Sequence, residues 1–549
     1  MRHVWSIAVA FALVGCDERP SATATNPASS TRLTATVATF ATGSMIDGAN
    51  GISVGPDGNL YVASVVSPGI FVLNATDGRL IERIGPDEGA RNPDDVAFGP
   101  DGTLCWTDIL DGNVLCRPPG GEAVVAARLG RGVNPITFSD DGRLFVSQCF
   151  YDSRLFEIDP KGVAEPRVIR DDLGPGCGLN GMDWGPDGKL YGPRWFRGEV
   201  VKIDIDTGEY TTVASGFGTP AAVKFDSKGQ LHVLDTLAGH IVRIDGDTHT
   251  VVAALTPGLD NFAFDPDDRV YVSSFVDGYV AVVESIDTAR KLTPGGVSMP
   301  GGVAVIGNTL YVADLFSLRR YDVASGTEGA IVRDVIGFSD LGTALSLHED
   351  GPSLVVSSWN DRSIRVWDPA TDTRTALYEN RGRPIDALRF GPDIVYTEFD
   401  ARAVVSFTPE SPDAQTTRFQ SDGVPAGLAF ADGTLYVSEQ AGGRVLALTA
   451  NGQWLAEPVV IAAGLHGPEG LLVRDGTVYV VEAGTGTLAT VSLADGIVRR
   501  IANGLAVGTA AQADVPSTLI FSGITADSTG RLYVGGERDN LIHRITLSG

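Results

Sequence analysis

Asn50, Asp94, Asn134, Asn180, Ala221 and Asp260 fall in one register, each at the start of the innermost strand of a sequence repeat. Five of the six carry a side-chain oxygen. Closed into a ring, the repeats would aim three amides and two carboxylates at a common axis. Such a set suits a hard divalent cation, whose charge the two carboxylates would balance. Calcium fits better than zinc, because its coordination is adaptable and zinc favours His or Cys. A divalent ion held there would polarise a carbonyl and lower the pKa of bound water, with Asp94 or Asp260 as proton acceptor. That is the chemistry of lactone or ester hydrolysis. Any one of these residues alone is equally a turn-capping Asn or Asp; five in register point to an axial ion or polar-ligand site.

Loops that follow the second strand of each repeat open on the same face. They carry Asp108, Gln148, Arg194, Trp195, Asp235 and Ser274, with Phe150, Tyr151 and His240 close by. Arg194 is a candidate catalytic residue that would orient an anionic or carbonyl substrate, and the aromatic side chains would stack on a sugar or lactone. Asp108 and Asp235 read as turn-stabilising residues, and His240 as a surface loop residue.

These residues need a scaffold, and the chain repeats one. A Gly-containing turn followed by an aliphatic-aromatic strand and a polar residue recurs from Asp57-Gly58-Asn59-Leu60-Tyr61-Val62 to Thr529-Gly530-Arg531-Leu532-Tyr533-Val534. Most spacings are about 40–46 residues, the period of a propeller blade. Alternating β-branched and aromatic residues between turn dipeptides predict four strands per repeat, and no long stretch has helical period. Twelve repeats exceed one ring of four to eight blades. The prediction is therefore all-β, two tandem six-bladed β-propellers with twelve four-stranded blades, the first over 32–288 and the second over 289–549. Leu33 to Phe40 reads as an outer strand with no blade before it, and Lys291-Leu292 as the start of another. Each ring would then close by pairing its own opening strand with its last three strands, which removes exposed sheet edges. In the second ring the same register holds Gly301, Thr343, Asp386, Ala426, Glu469 and Ser522. Its loops add Asp314, Glu398, Glu439 and Glu482, with His466 near the opening. This ring reads as a binding or scaffold module.

The N-terminus is a targeting segment. Arg2 and His3 precede the apolar run Val4 to Val14, too short to span a bilayer, which ends in Leu13-Val14-Gly15-Cys16. That ending resembles the lipobox of bacterial lipoproteins, which implies a signal peptide over 1–15, lipidation of Cys16 and a flexible tether over 16–31. The protein is then exported and touches a membrane only through its anchor. In that oxidising compartment the four remaining cysteines read as disulfides. Cys105 and Cys116 lie opposite each other across a hairpin, and Cys149 and Cys177 lie on loops of consecutive repeats. The net charge of −26 argues against nucleic acid and against a basic lipid-binding face.

The repeat phrases resemble NHL-repeat proteins and, in the first ring, the SMP-30/gluconolactonase family. Leu179-Asn180-Gly181-Met182-Asp183-Trp184 is similar to the Asn-Gly-x-Asp-Trp segment of SMP-30-like proteins, in which the Asn binds metal. The resemblance implies that Asn134 and Asn180 are metal ligands. It departs at Asn50, where the family has a ligand Glu, and at Ala221, where it has an Asp that is ligand and base. Three functions follow for test. The first is a metal-dependent lactone or ester hydrolase. The second is a surface-tethered module binding a small molecule, glycan, peptide or protein partner. The third is a lyase resembling virginiamycin B lyase, although no His-containing site of that kind is evident.

Overall fold

The computed structural model describes residues 33–174, 176–335, 338–510 and 520–548. Cys16 and the tether lie outside the described residues. Twelve antiparallel sheets of four strands account for the fold. Helix among the described residues is limited to two three-residue turns, Pro86–Glu88 and Trp195–Arg197. The turns between strands follow from their residues. In blade 1, for example, Gly58 at φ 76° turns the chain and Asp57 accepts a hydrogen bond from the Asn59 amide at 3.2 Å.

The sheets close into two rings of six. The inner strand of blade 1, Ala49–Val54, packs against that of blade 6, Leu259–Phe264, and Val303–Ile306 of blade 7 packs against Ile524–Ala526 of blade 12. Apolar clusters between successive blades form the core, such as Ile52, Leu60 and Val62 with Tyr271 and Val280.

Ring closure differs from the sequence expectation. Thr288–Thr293, which contains the strand expected to open the second ring, pairs with Val280–Ser285 as the outer strand of blade 6. The break seen after Glu284 is a tight hairpin at Ile286-Asp287, so blade 6 completes itself. Among the described residues, only the last blade draws its fourth strand from elsewhere in the chain. The opening strand, Thr34–Thr42, supplies it by pairing from Thr34↔Ser548 to Thr42↔Leu541. The N-terminal strand thus closes the second ring rather than the first.

This exchange makes the chain cross between rings twice, once after Thr42 and once after Thr293. The two crossings lie side by side, with the Ser44 amide donating to the Val297 carbonyl at 2.9 Å. Gly43 is required there, since a Cβ at that position would sit 2.0 Å from the Val297 oxygen. Phe40 fastens the closing strand, with its ring 5.1 Å from Tyr533 and 6.1 Å from Tyr321. Phe40→Ala should therefore destabilise the protein by about 2 kcal/mol, less than a fully buried Phe because the ring is half-buried. Chemical denaturation reads this as a lower midpoint, and an unchanged midpoint would show that the closing strand adds no stability.

Candidate functional site

Each inner strand of the first ring starts with an irregularity. Pairing skips from Ala49 to Ile52, from Pro93 to Val96 and from Val133 to Ile136, with shorter skips after Pro220 and Leu259. In blade 4 the inner strand shrinks to Asp183–Trp184, leaving Asn180 to Met182 outside it. Residues in such a bulge are released from the ladder and can be re-aimed. Asn50, Asp94, Asn134, Asn180 and Asp260 occupy these positions, and all five line one axial cavity of about 400 Å³. The blades approach so closely here that Gly181 has no room for a side chain: a Cβ would lie 2.6 Å from that of Ala222.

Neighbouring groups fix the register. Thr107 donates through Oγ1 to the Asn134 carbonyl at 2.6 Å, and Ser273 donates to that of Asn50 at 2.5 Å. Asp95, beside Asp94, is turned away from this set. Its carboxylate accepts from the Val96 amide at 2.9 Å, the Ile136 amide at 3.2 Å and Asn261 at 3.3 Å. Asp183 likewise holds the Trp184 and Phe225 amides. These two acids staple blades together, whereas Asp94 and Asp260 face the cavity.

The electrostatics of the floor are those of two acids without a cation. Asp260 is pushed up to about 8, chiefly by burial and then by repulsion from Asp95. Asp94 is also raised, by burial first, then by Asp260 and Asp95, against a hydrogen bond with Asn50. Among the described residues no three His, Cys, Asp or Glu side chains gather closely enough to hold an ion. A cation here must therefore draw on amide oxygens and water as well as the two carboxylates. The donor set fits a hard ion of flexible coordination and does not fit zinc. Asn180 keeps capacity for this, because its Oδ1 accepts only the Gly181 amide, at 2.9 Å, and a carbonyl oxygen has two lone pairs.

The walls are apolar and aromatic. Ile109, Leu110, Phe150, Tyr151, Trp195, Leu259, Phe275 and Val276 belong to the first ring. Phe150 sits beside the Cys149–Cys177 disulfide at the mouth, in the left-handed region at φ 66°, and donates its amide to the Gly176 carbonyl at 2.6 Å. The other predicted bridge, Cys105–Cys116, also forms, across directly paired strands.

Arg194, singled out for substrate orientation, does not line the cavity. Its guanidinium is buried, donating to Glu199 at 2.9 Å, to Tyr210 at 3.2 Å and to the Leu173 carbonyl. It ties the blade 4 loop together and has no donor aimed at a ligand. Asp108 and Asp235 bind the loop amides ahead of their own blades, Asn92 at 2.5 Å and Thr219 at 2.9 Å, as turn-stabilising residues do. Gln148 gives its Nε2 to the Leu129 and Arg131 carbonyls and does not line the cavity. Ser274 and His240 also lie away from the cavity lining.

The second ring has a different axis. Ser357, Thr397 and Ser438 donate to the carbonyls of Ile385, Ala426 and Glu469, marking these as equivalent to Asn50 and Asn134. Asp386 is thus one residue out of the expected register. It is a blade staple like Asp95, accepting from the Ala387 and Leu428 amides, Ser346 and His348. In blade 8 the Leu345 amide, pairing with Ser357, replaces Thr343 at the axis. Leu345 packs with Met299 and Ile520, and Ile385 with Ala426 and Phe521, so apolar side chains from several blades gather at this axis beside the buried Glu469, whose carboxylate accepts from Gln440 and the Ser522 amide.

The second ring nonetheless reaches the first ring's cavity. Phe316, Asp334, Val335 and Asn360 complete its lining. None of these was singled out in the sequence, because the facing of one ring on the other leaves no periodic signal. A buried ion network holds that facing. Arg319 of blade 7 pairs with Asp277 of blade 6 at 2.9 Å, with Asp314 at 2.5 Å and with Glu328 at 2.9 Å, while Arg333 reaches Asp277 at 3.0 Å.

No protein-family model and no curated protein matches this chain. Among solved structures it is similar to virginiamycin B lyase from Staphylococcus aureus at 15% identity and a TM-score of 0.37, over 52% of this chain and 96% of that one. The extracellular domain of a one-component system from B. thetaiotaomicron matches at 13% identity and a TM-score of 0.32, over 89% of this chain and 74% of the other. The extracellular domain of a hybrid two-component system from B. thetaiotaomicron matches at 10% identity and a TM-score of 0.34, over 93% and 83%.

The floor makes a pH prediction. The folded chain holds a proton on Asp260 up to about pH 8, whereas the ordinary carboxylate value is 3.8. The stabilisation linked to that proton is complete below about pH 4 and is lost as the pH rises through about 8. In buffer freed of divalent ions, melting temperature should fall over this range more steeply for the parent than for Asp260→Asn. Parallel pH profiles would show that Asp260 is already ionised in the folded protein.

Proposed function

We propose that the protein is an exported, lipid-anchored propeller pair whose first ring seats a divalent cation, calcium by donor type, beneath a bound small molecule. The reaction for which it is equipped is hydrolysis of a lactone or related ester. One observation carries the reading: Asn50, Asp94, Asn134, Asn180 and Asp260 meet on the lining of a single cavity. The anchor rests on the lipobox-like segment ending at Cys16, and the two disulfides suit an oxidising compartment.

When bound, the cation would supply Lewis acidity toward a carbonyl and a lowered pKa for a water molecule. The chain supplies the rest. Asn50, Asn134 and Asn180 offer neutral oxygens that orient without adding charge. Asp94 and Asp260 balance the cation, and a floor carboxylate is the available proton acceptor. The apolar wall keeps bulk water away, so that charge on the floor acts in a weakly screening medium. Arg194 has no part in this scheme, because it is buried outside the cavity lining with both terminal nitrogens held by Glu199, Tyr210 and the Leu173 carbonyl.

A second reading, ligand binding without turnover, draws on Ala221, which leaves the sixth place on the ring without a functional group. A lyase reading has less to stand on, since no histidine lines the cavity among the described residues.

Calorimetry of the full-length protein with calcium, magnesium and zinc separates these readings. Saturable calcium binding is expected, weakened by about tenfold or more in Asn180→Ala and Asp260→Asn, with a matching fall in turnover of a lactone panel. Glu469→Gln, at the equivalent place in the second ring, should change neither. If none of the three ions binds saturably, the metal-seat reading is wrong. Calcium binding without turnover of any lactone would leave the binding module.

A further inference from the structure

The geometry points to the second propeller as the specificity half of the ligand site. It selects a compact molecule with a planar, apolar ring and one polar end over a polyol such as a sugar. This rests on the axial cavity being the ligand site, but not on the ion or on hydrolysis.

The cavity wall is built across the boundary between the rings. Phe275 of blade 6 and Phe316 of blade 7 both line it, with ring centroids 4.7 Å apart and planes tilted by 48°. On the opposite loops, Phe150 contacts Trp195 at 6.4 Å, and both also line the cavity. A second aromatic contact, Phe196 with Phe338 at 6.1 Å, crosses the same boundary. Phe316 stands on a two-residue turn between the strands Thr309–Asp314 and Ser317–Asp322, and Leu315 before it is in the left-handed region at φ 50°. Arg319, four residues from that turn's start, is locked into the interface by Asp277 and Asp314. The turn is therefore held in place and cannot swing clear without breaking a buried ion network.

The polar groups on this lining are the five floor residues, Tyr151 and Thr236 of the first ring, and Asp334 and Asn360 of the second. The remaining wall is hydrocarbon or aromatic face. A sugar would bring hydroxyls all round its ring, and those facing this wall would lose water without gaining partners. A flat apolar ring meets the aromatic faces and edges favourably, while one carbonyl or similar group reaches the floor. A volume of about 400 Å³ is ample for such a compact ligand.

The test uses full-length protein in calcium-containing buffer and two probes of opposite character, coumarin and glucono-δ-lactone, titrated by calorimetry. Coumarin should bind saturably and the sugar lactone at least about tenfold more weakly. Phe316→Ala should weaken coumarin by about tenfold, and Phe316→Leu, which keeps bulk but loses the flat face, by a smaller factor, with calcium affinity unchanged in both. Circular dichroism and melting confirm that the variant used is folded; if Phe316→Ala is not, the leucine variant decides. The inference is overturned if the sugar lactone binds as tightly as coumarin, if coumarin does not saturate, or if the folded Phe316 variant binds coumarin like the parent. Failure of calcium to bind the parent would strike the proposed function alone, because the coumarin preference is read independently of it.

Discussion

Asp94 and Asp260 lie on the floor of a largely apolar cavity with no cationic side chain on its lining among the described residues, and burial raises the cost of ionising either. Two carboxyl groups in that position must either keep protons or gain a counter-charge. On the proposed function, their surroundings serve the second outcome. Asn50, Asn134 and Asn180 add oxygens without adding repulsion, and Asp95 and Asp183, which could have crowded the site with further charge, are consumed by amides of adjacent blades.

The backbone makes this sorting possible. Within a regular strand, neighbouring residues alternate faces, and an axial residue would be fixed by the ladder. The inner strands of the first ring break their pairing where the axial residues lie, releasing one acid toward the cavity while the next turns into the sheet. The carbonyl beside the released side chain is held by a hydroxyl from the adjacent blade, as Thr107 holds Asn134. The second ring keeps the hydroxyl-to-carbonyl bond but carries Ile385 and Ala426 at the corresponding places, and apolar side chains gather at its axis. One backbone device therefore yields a polar cavity in one ring and a packed core in the other, according to the residue presented.

The blades and both disulfides were legible in the sequence, because turn glycines and alternating strands recur with a fixed period. The five axial residues of the first ring were legible for the same reason, since each precedes the turn into its second strand at the same distance. Three features were not. Ring closure was misassigned because Thr34–Thr42 has the pattern of any outer strand, and its partner lies at the far end of the chain. Arg194 was misread because an arginine in an open loop looks the same whether its donors face a ligand or, as here, Glu199 and a carbonyl. The contribution of Phe316 and Asn360 depends on how two rings face each other, a relation written in scattered contacts such as Arg319 with Asp277.

Two chain crossings and a buried ion network join the rings, and they hold Phe316, Asp334, Val335 and Asn360 on the first ring's cavity. The central claim is that the five axial oxygens form an ion seat, and diffraction tests it most directly. Crystals of the full-length protein grown with manganese as a calcium surrogate, measured for anomalous scattering, should show a strong peak on the first ring's axis. It should lie at coordination distance from oxygens of both Asp94 and Asp260. A manganese-containing crystal with no axial peak, and with these carboxyl groups bonded to each other or to water alone, would contradict the account.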